Sequence, residues 1–223
     1  MRQRNPALYQ RLADYQYHPK LDTWRRELIW AWNQALWDAP SKVLAKDEPD
    51  PRLLLTTQLA PELSSVHSEL MMISAYFVPG QPGLLYLTGR ADAGVSVSLL
   101  TNSLEATDVP AVHGSDSSLH SKAMIFDRRK AFIGSFNFDP RSVLWNTEVG
   151  VLVDSPLLAE HVRTLALQGM APALSYEPRL EAGQLVWLTE DNGQIHVLHR
   201  EPGSWWRRFN AWLTNRVGLE RML

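Results

Sequence analysis

The chain has 223 residues, 22 lysines and arginines against 24 aspartates and glutamates, a formal net charge of −2 and no cysteine. That balance argues against nucleic acid as the partner, since a protein that neutralises a phosphate backbone carries a basic excess. The missing cysteines exclude a disulfide framework and leave the compartment open. Hydrophobic residues make up 45% of the sequence, enough for the core of one domain with a helical appendage. Met1 is followed by RQRNP and not by an apolar run, and no stretch approaches the roughly eighteen apolar residues of a membrane span.

Residues 1–50 read as a helical, proline-punctuated linker region ending in KDEPDP, and 51–223 as the folded domain. Within LDTWRRELIWAWNQALW, the residues Trp24, Leu28, Trp32, Ala35 and Leu36 fall on one helical stripe. Its first reading is a face packed on the protein, its second an interfacial anchor. From Pro61 a helix over PELSSVHSEL feeds a strand over MMISAYFV. Gly80 to Gly94 holds the next helix, with Gly94 capping it ahead of the strand VSVSLLT.

The segment from His120 to Asn137 reads HSKAMIFDRRKAFIGSFN. With 122–127 and 130–134 as adjacent strands joined at Arg128-Arg129, alternation of side chains puts His120 and Lys122 on the same face, so both can aim at one phosphate. Asp127, five residues from Lys122, goes to the opposite face and reads as structural support, paired with an arginine nearby. Ala123, Ile125, Phe132 and Ile133 supply apolar bulk, and Gly134 permits close backbone approach before Ser135 and Asn137 are presented.

Beyond it, EVGVLVD is a strand and SPLLAEHVRTLALQG a helix with Ser155 as N-cap and Pro156 at its first position. QLVWLTEDNGQIHVLH reads as a hairpin around Asn192-Gly193. At the end of the chain Trp205, Phe209, Trp212, Leu213 and Val217 form a second stripe, with Arg207, Arg208 and Arg216 off it, the composition either of an interfacial helix or of a packed one. The seven histidines offer no convincing metal-ligand pair; His196 and His199, three apart in a strand, face opposite ways and read as surface residues. Alternating strands and helices predict an α/β fold with a mixed sheet flanked by helices, then the hairpin and an amphipathic C-terminal helix.

The segment 120–137 resembles the HxK(x)4D(x)6GSxN signature of the phospholipase D superfamily at every fixed position. The resemblance runs from about Pro61 to the C-terminus. ISAYFVPG, GVSVSLLTNSLEATD, FNFDPRS and NTEVGV are similar to the bacterial cardiolipin synthases of the C type. It implies one phospholipase D-like half-domain and a phosphatidyl transfer in which a histidine attacks the phosphodiester of one phospholipid and phosphatidylglycerol accepts the phosphatidyl group. On that mechanism His120 is nucleophile or general acid/base; Lys122 and Asn137 hold the nonbridging oxygens, with Ser135 lending a further hydrogen bond. Glu148, eleven residues past Asn137, is the acid that orients the imidazole. Asp127 and Gly134 are the structural members of the motif. No metal or cofactor is needed.

Enzymes of this superfamily work with two such motifs, because a second histidine must protonate the leaving oxygen and activate the acceptor. This chain has one and resembles the second half of a two-motif enzyme. The resemblance implies a second half from another copy or chain, a phospholipid substrate (phosphatidylglycerol, with phosphatidylethanolamine as a further candidate), and a peripheral place on the cytoplasmic side of the inner membrane. Two alternatives stand beside it: a catalytically incomplete fragment that binds a membrane or partner, and a single-motif dimeric phosphodiesterase or nuclease. The family inserts a helix and strand between VSVSLLT and the motif, whereas here the connection from Thr101 to Ser121 has no helical period long enough to cross a parallel sheet, which points to an internal deletion near 113–114 or to a short helical crossover.

Overall fold

A computed structural model describes residues 28–44, 50–103, 119–203 and 205. The chain divides into two units, Met1–Ala31 and Trp32–Leu223, and every strand and helix below belongs to the second. The strands are β1 (Trp32–Trp37), β2 (Glu69–Ile73), β3 (Ser96–Leu100), β4 (Ala123–Phe126), β5 (Lys130–Gly134), β6 (Val149–Asp154), β7 (Glu177–Glu181), β8 (Gln184–Asp191) and β9 (Gln194–Leu198). The helices are α1 (Leu55–Ser65), α2 (Gly80–Asp92), α3 (Pro140–Leu144) and α4 (Pro156–Gly169), with short 3₁₀ turns at Pro40–Leu44 and Pro51–Leu53.

Six strands form one mixed sheet in the order β1-β6-β5-β4-β2-β3, and β7-β8-β9 form a separate three-stranded sheet. Only β2 and β3 run parallel; the other pairs of the large sheet are antiparallel. The run LMMI of β2 alternates between two cores. Leu70 and Met72 join Met124, Phe126 and Phe132 under α1 and α2, while Met71 and Ile73 join Ala123 and Ile125 under α4. Central strands covered on both faces read as unbroken apolar runs, as AMIF in β4 also does. The predicted α/β fold with a mixed, helix-covered sheet is the observed one.

Ser155 caps α4 by accepting a hydrogen bond from Leu158 N–H at 3.2 Å, with Pro156 in the first turn. Asn192 and Gly193, at φ 51° and 77°, make the turn of the β8–β9 hairpin. The same left-handed pair recurs at Ala182-Gly183, φ 50° and 78°, and adds β7, a strand the sequence reading left out. The helix ahead of β2 starts earlier than expected, at Leu55, and β2 itself stops at Ile73, so Ser74–Val78 lies outside the strand.

The helical reading of residues 32–37 is overturned. Residues 32–37, read as part of a helical stripe, form the edge strand β1, which pairs antiparallel with β6 from Trp32↔Asp154 to Trp37↔Val149. A spacing of four between Trp32 and Leu36 fits a helix, yet it also puts both residues on one face of a strand, and the six-residue ladder with β6 decides between them. Only Leu36 of β1 is buried. The segment read as linker therefore gives the domain a strand. Trp24 of that stripe and all of the C-terminal stripe except Trp205 lie outside the described residues.

The crossover problem also changes. β4 is antiparallel to β2, so the chain leaving β3 re-enters at the same end of the sheet and need only step past the end of β2; no helical crossover is required. Asn102 fastens both ends of this connection. Its amide donates to Ala75 O at 3.0 Å and Leu119 O at 2.9 Å, and its carbonyl accepts from Leu119 N–H at 2.8 Å. The expected deletion point at 113–114 lies outside the described residues.

Candidate active site

The antiparallel order gathers the motif at one end of the large sheet. His120 and Lys122 precede β4, Ser135 and Asn137 follow β5, Glu148 precedes β6, and Ser74–Tyr76 follow β2. The alternation argued from sequence is seen directly: Lys122 Nζ lies 3.2 Å from His120 Nε2 and donates to the His120 carbonyl at 2.7 Å. An ammonium has no lone pair, so Nε2 is the acceptor in this contact and a neutral ring carries its proton on Nδ1. His120 is exposed and Lys122 is buried. Burial pulls the pKa of Lys122 below the usual lysine value, and the carboxylates of Glu148 and Asp139 work against that fall.

Ser135 and Glu148 meet each other. The Ser135 hydroxyl donates to the Glu148 carboxylate and accepts from Val149 N–H at 3.1 Å, and Ser135 N–H donates to Val149 O at 2.9 Å. Among the described residues the Glu148 carboxylate has no hydrogen bond to His120. Its effect on the pair is electrostatic, through Lys122. Asn137 is half-buried; its side-chain oxygen accepts a long bond from Tyr76 N–H at 3.4 Å, and its N–H donates to Ser142 Oγ at 3.2 Å.

Gly134 and Gly150 are cross-strand partners. A Cβ on Gly134 would run into the Val149 carbonyl, and one on Gly150 into the ring of Phe132, which is fully buried over this pair. The close approach needs two glycines, and it sets Ser135 beside Val149.

Asp127 does lie away from His120 and Lys122, but its partner is not an arginine. Its carboxylate accepts from the N–H groups of His67, Ser68 and Glu69 and from the Ser68 hydroxyl, and sits 2.8 Å from His67 Nδ1. Arg128 turns to Glu69 instead, which Arg163 of α4 also holds. Asp127 and Arg128, at φ 51° and 56°, make the β4–β5 turn, a conformation that an aspartate tolerates better than most residues. Close by lies a cleft of about 510 Å³ lined by Glu62, His67, Asp127, Arg129, Lys130 and Asp154. Its charges pair with one another, and it is at the end of the sheet away from His120.

Three features escaped the sequence reading. Asp139 and Pro140 cap and start α3, with Asp139 accepting from Ser142 N–H at 2.7 Å; the Asp-Pro pair was the available signal. Ser74 and Tyr76 support the loop after β5, since Ser74 Oγ accepts from Phe138 N–H at 3.0 Å. A buried pair, Asp38 and Lys42, stands behind Glu148.

This fold, with a histidine and lysine at the mouth of a mixed sheet, defines a class, and comparison with known proteins names it. A family model described as "Cardiolipin synthase, PLD-like domain" matches residues 104–168, and the chain belongs to the phospholipase D superfamily. It is 31% identical to cardiolipin synthase C of Escherichia coli (strain K12) over a gapped alignment 235 positions long, across 88% of this chain and 49% of that one. It is 28% identical over 137 residues to cardiolipin synthase A of Proteus mirabilis (strain HI4320), across 53% and 28%. The chain thus spans about half the length of the first relative and less of the second. Among solved structures, the phosphatidylserine synthase of Haemophilus influenzae Rd KW20 aligns at a TM-score of 0.55 and 12% identity over 85% of this chain and 46% of that one, a likeness of fold.

Proposed function

We propose that this chain supplies one half of a phosphatidyltransferase site of the cardiolipin synthase type. The observation that carries the reading is the contact between His120 Nε2 and Lys122 Nζ, 3.2 Å apart, at the open end of the sheet. The Nε2 lone pair attacks the phosphorus of a phospholipid, the P–O bond to the headgroup breaks, and a phosphohistidine forms. Lys122 and Asn137 stabilise the charge that gathers on the nonbridging oxygens. The leaving alkoxide takes its proton from a histidine of the other half, which then accepts the proton of the phosphatidylglycerol hydroxyl as that oxygen attacks phosphorus and frees His120. Glu148 helps keep the Lys122 ammonium charged; Ser135 fixes that carboxylate.

Two observations favour a site completed by a second half, from another copy or another chain. Cardiolipin synthase C of Escherichia coli, of which this chain spans 49%, is about twice its length. Next to the site, one face of the sheet carries exposed Trp37, Val149, Val151 and Ile133, joined by the cross-strand pairs Trp37↔Val149 and Ile133↔Val151. Such a face suits an apolar partner surface. No helix among the described residues is long and apolar enough to cross a membrane. We propose a peripheral place on the cytoplasmic side of the inner membrane, with phosphatidylglycerol and phosphatidylethanolamine as candidate substrates.

The test is cardiolipin formation in mixed micelles of those two lipids, by the full chain alone and mixed with a protein carrying the other motif. We expect product that disappears with His120→Ala. Equal product from wild type and His120→Ala would end this reading.

A further inference from the structure

We propose that Asp38 and Lys42 are positioning residues, a buried ion pair that holds the backbone of Glu148 and of the loop bearing Asn137; this rests on the reading of the site given above. The two side chains are each 1% exposed and meet at 2.7 Å. Asp38 Oδ2 also accepts from Glu148 N–H at 2.8 Å, Asp38 Oδ1 accepts from Leu55 N–H at 2.6 Å, and Asp38 N–H donates to Glu148 O at 2.9 Å. Glu148 is thus gripped at both its amide and its carbonyl by one residue. Lys42 Nζ donates to Ser142 O at 2.9 Å, and Ser142 Oγ accepts from Asn137 N–H. The pair reaches the two loops that carry the acid and the amide of the site.

Stability alone does not account for the arrangement. A buried ion pair is often no more stabilising than two apolar side chains of the same volume, because both charges must leave water. What apolar residues cannot do is point hydrogen bonds at chosen backbone groups. Asp38 aims at three donors from three segments, and Lys42 links the β1 end to α3. A carboxylate and an ammonium, each with several fixed directions, set the distance between Glu148 and Asn137 in a way packing would leave loose.

The experiment pairs Asp38→Asn with Lys42→Met in the full chain. Removing both charges together avoids stranding one, while the asparagine NH₂ group opposes an N–H that the carboxylate had satisfied. Turnover is measured in the assay that shows wild-type activity, and amide exchange is read at Glu148 and Asn137. We expect a folded variant with kcat lowered about tenfold or more and KM within about twofold, a pattern of misplaced groups and not of lost binding. The Glu148 amide should exchange about tenfold faster or more. A folded variant with wild-type kcat and wild-type exchange overturns the proposal. Should the double variant not fold, Asp38→Glu, which keeps the charge and shifts both oxygens by one methylene, takes its place with the same readouts and the same criterion. If wild type turns over no phospholipid, the proposed function fails by itself, and exchange at Glu148 and Asn137 alone decides whether the pair positions them.

Discussion

Lys122 is asked to keep a positive charge in a place that resists it. Burial disfavours the ammonium and the carboxylates of Glu148 and Asp139 restore part of it, with the pKa still below the ordinary value of 10.5. A catalyst that needs this charge loses rate as pH rises through the lowered pKa. The alkaline limb of kcat should therefore fall below 10.5 and move lower still in Glu148→Gln; a wild-type limb at or above 10.5 would contradict it. His120→Ala should abolish turnover and Lys122→Ala should cost about a hundredfold in kcat, the usual scale for a lost transition-state donor. The His120–Lys122 pair was legible because both residues sit on one short stretch where alternation fixes their side. The Ser135–Glu148 pair was not, since it depends on the register of β5 against β6. Nor was Lys42, whose partner Ser142 lies a hundred positions away.

Among the elements, the β4–β5 hairpin and the β5–β6 pair carry the site, and each has one vulnerable joint. At the first, burial would raise the pKa of Asp127, but hydrogen bonds from Glu69, Ser68 and His67 outweigh it and hold the carboxyl below 3.8. A depressed carboxyl contributes stability above its unfolded pKa and loses it as pH falls through its folded one. Asp127→Ala should cost about 2–4 kcal/mol in denaturant unfolding near neutral pH, and the gap from wild type should close only at strongly acid pH. At the second joint, Gly134→Ala drives a methyl group into the Val149 backbone. We expect about 3 kcal/mol or more of destabilisation, with turnover of the folded fraction also reduced because Ser135 shifts; unchanged stability would refute the close approach. The strands around this joint were readable as apolar runs and α4 by its cap, whereas β1 was misread because Trp32 and Leu36 stand four apart, a distance that helix and strand share.

At the scale of the molecule, the proposed division of the site between two polypeptides would make rate depend on their meeting. Turnover per chain should fall on dilution as the halves separate, and a value constant over a hundredfold dilution would speak for a site complete within one chain. The net charge of −2 implies weak, non-specific attraction at most for a nucleic-acid backbone, so oligonucleotide binding with a steep salt dependence would count against a lipid substrate. The motif made the superfamily legible. It did not make the exposed apolar face legible, because that face exists only once distant strands have paired, as Trp37 does with Val149.

The clamp formed by Asn102 gives the chain a joint at which its history can be edited. Because one side chain ties residue 102 to 119, the path between them is closed before its length matters, and doubling such a path costs only about 0.6 kcal/mol. Inserting about fifteen glycines and serines between those positions should leave unfolding free energy within about 1 kcal/mol of wild type, whereas Asn102→Ala should remove that tolerance. A family whose members differ in length between these strands could gain or lose whole elements there while the reacting groups stay in register, so one amide would serve as the hinge of its divergence.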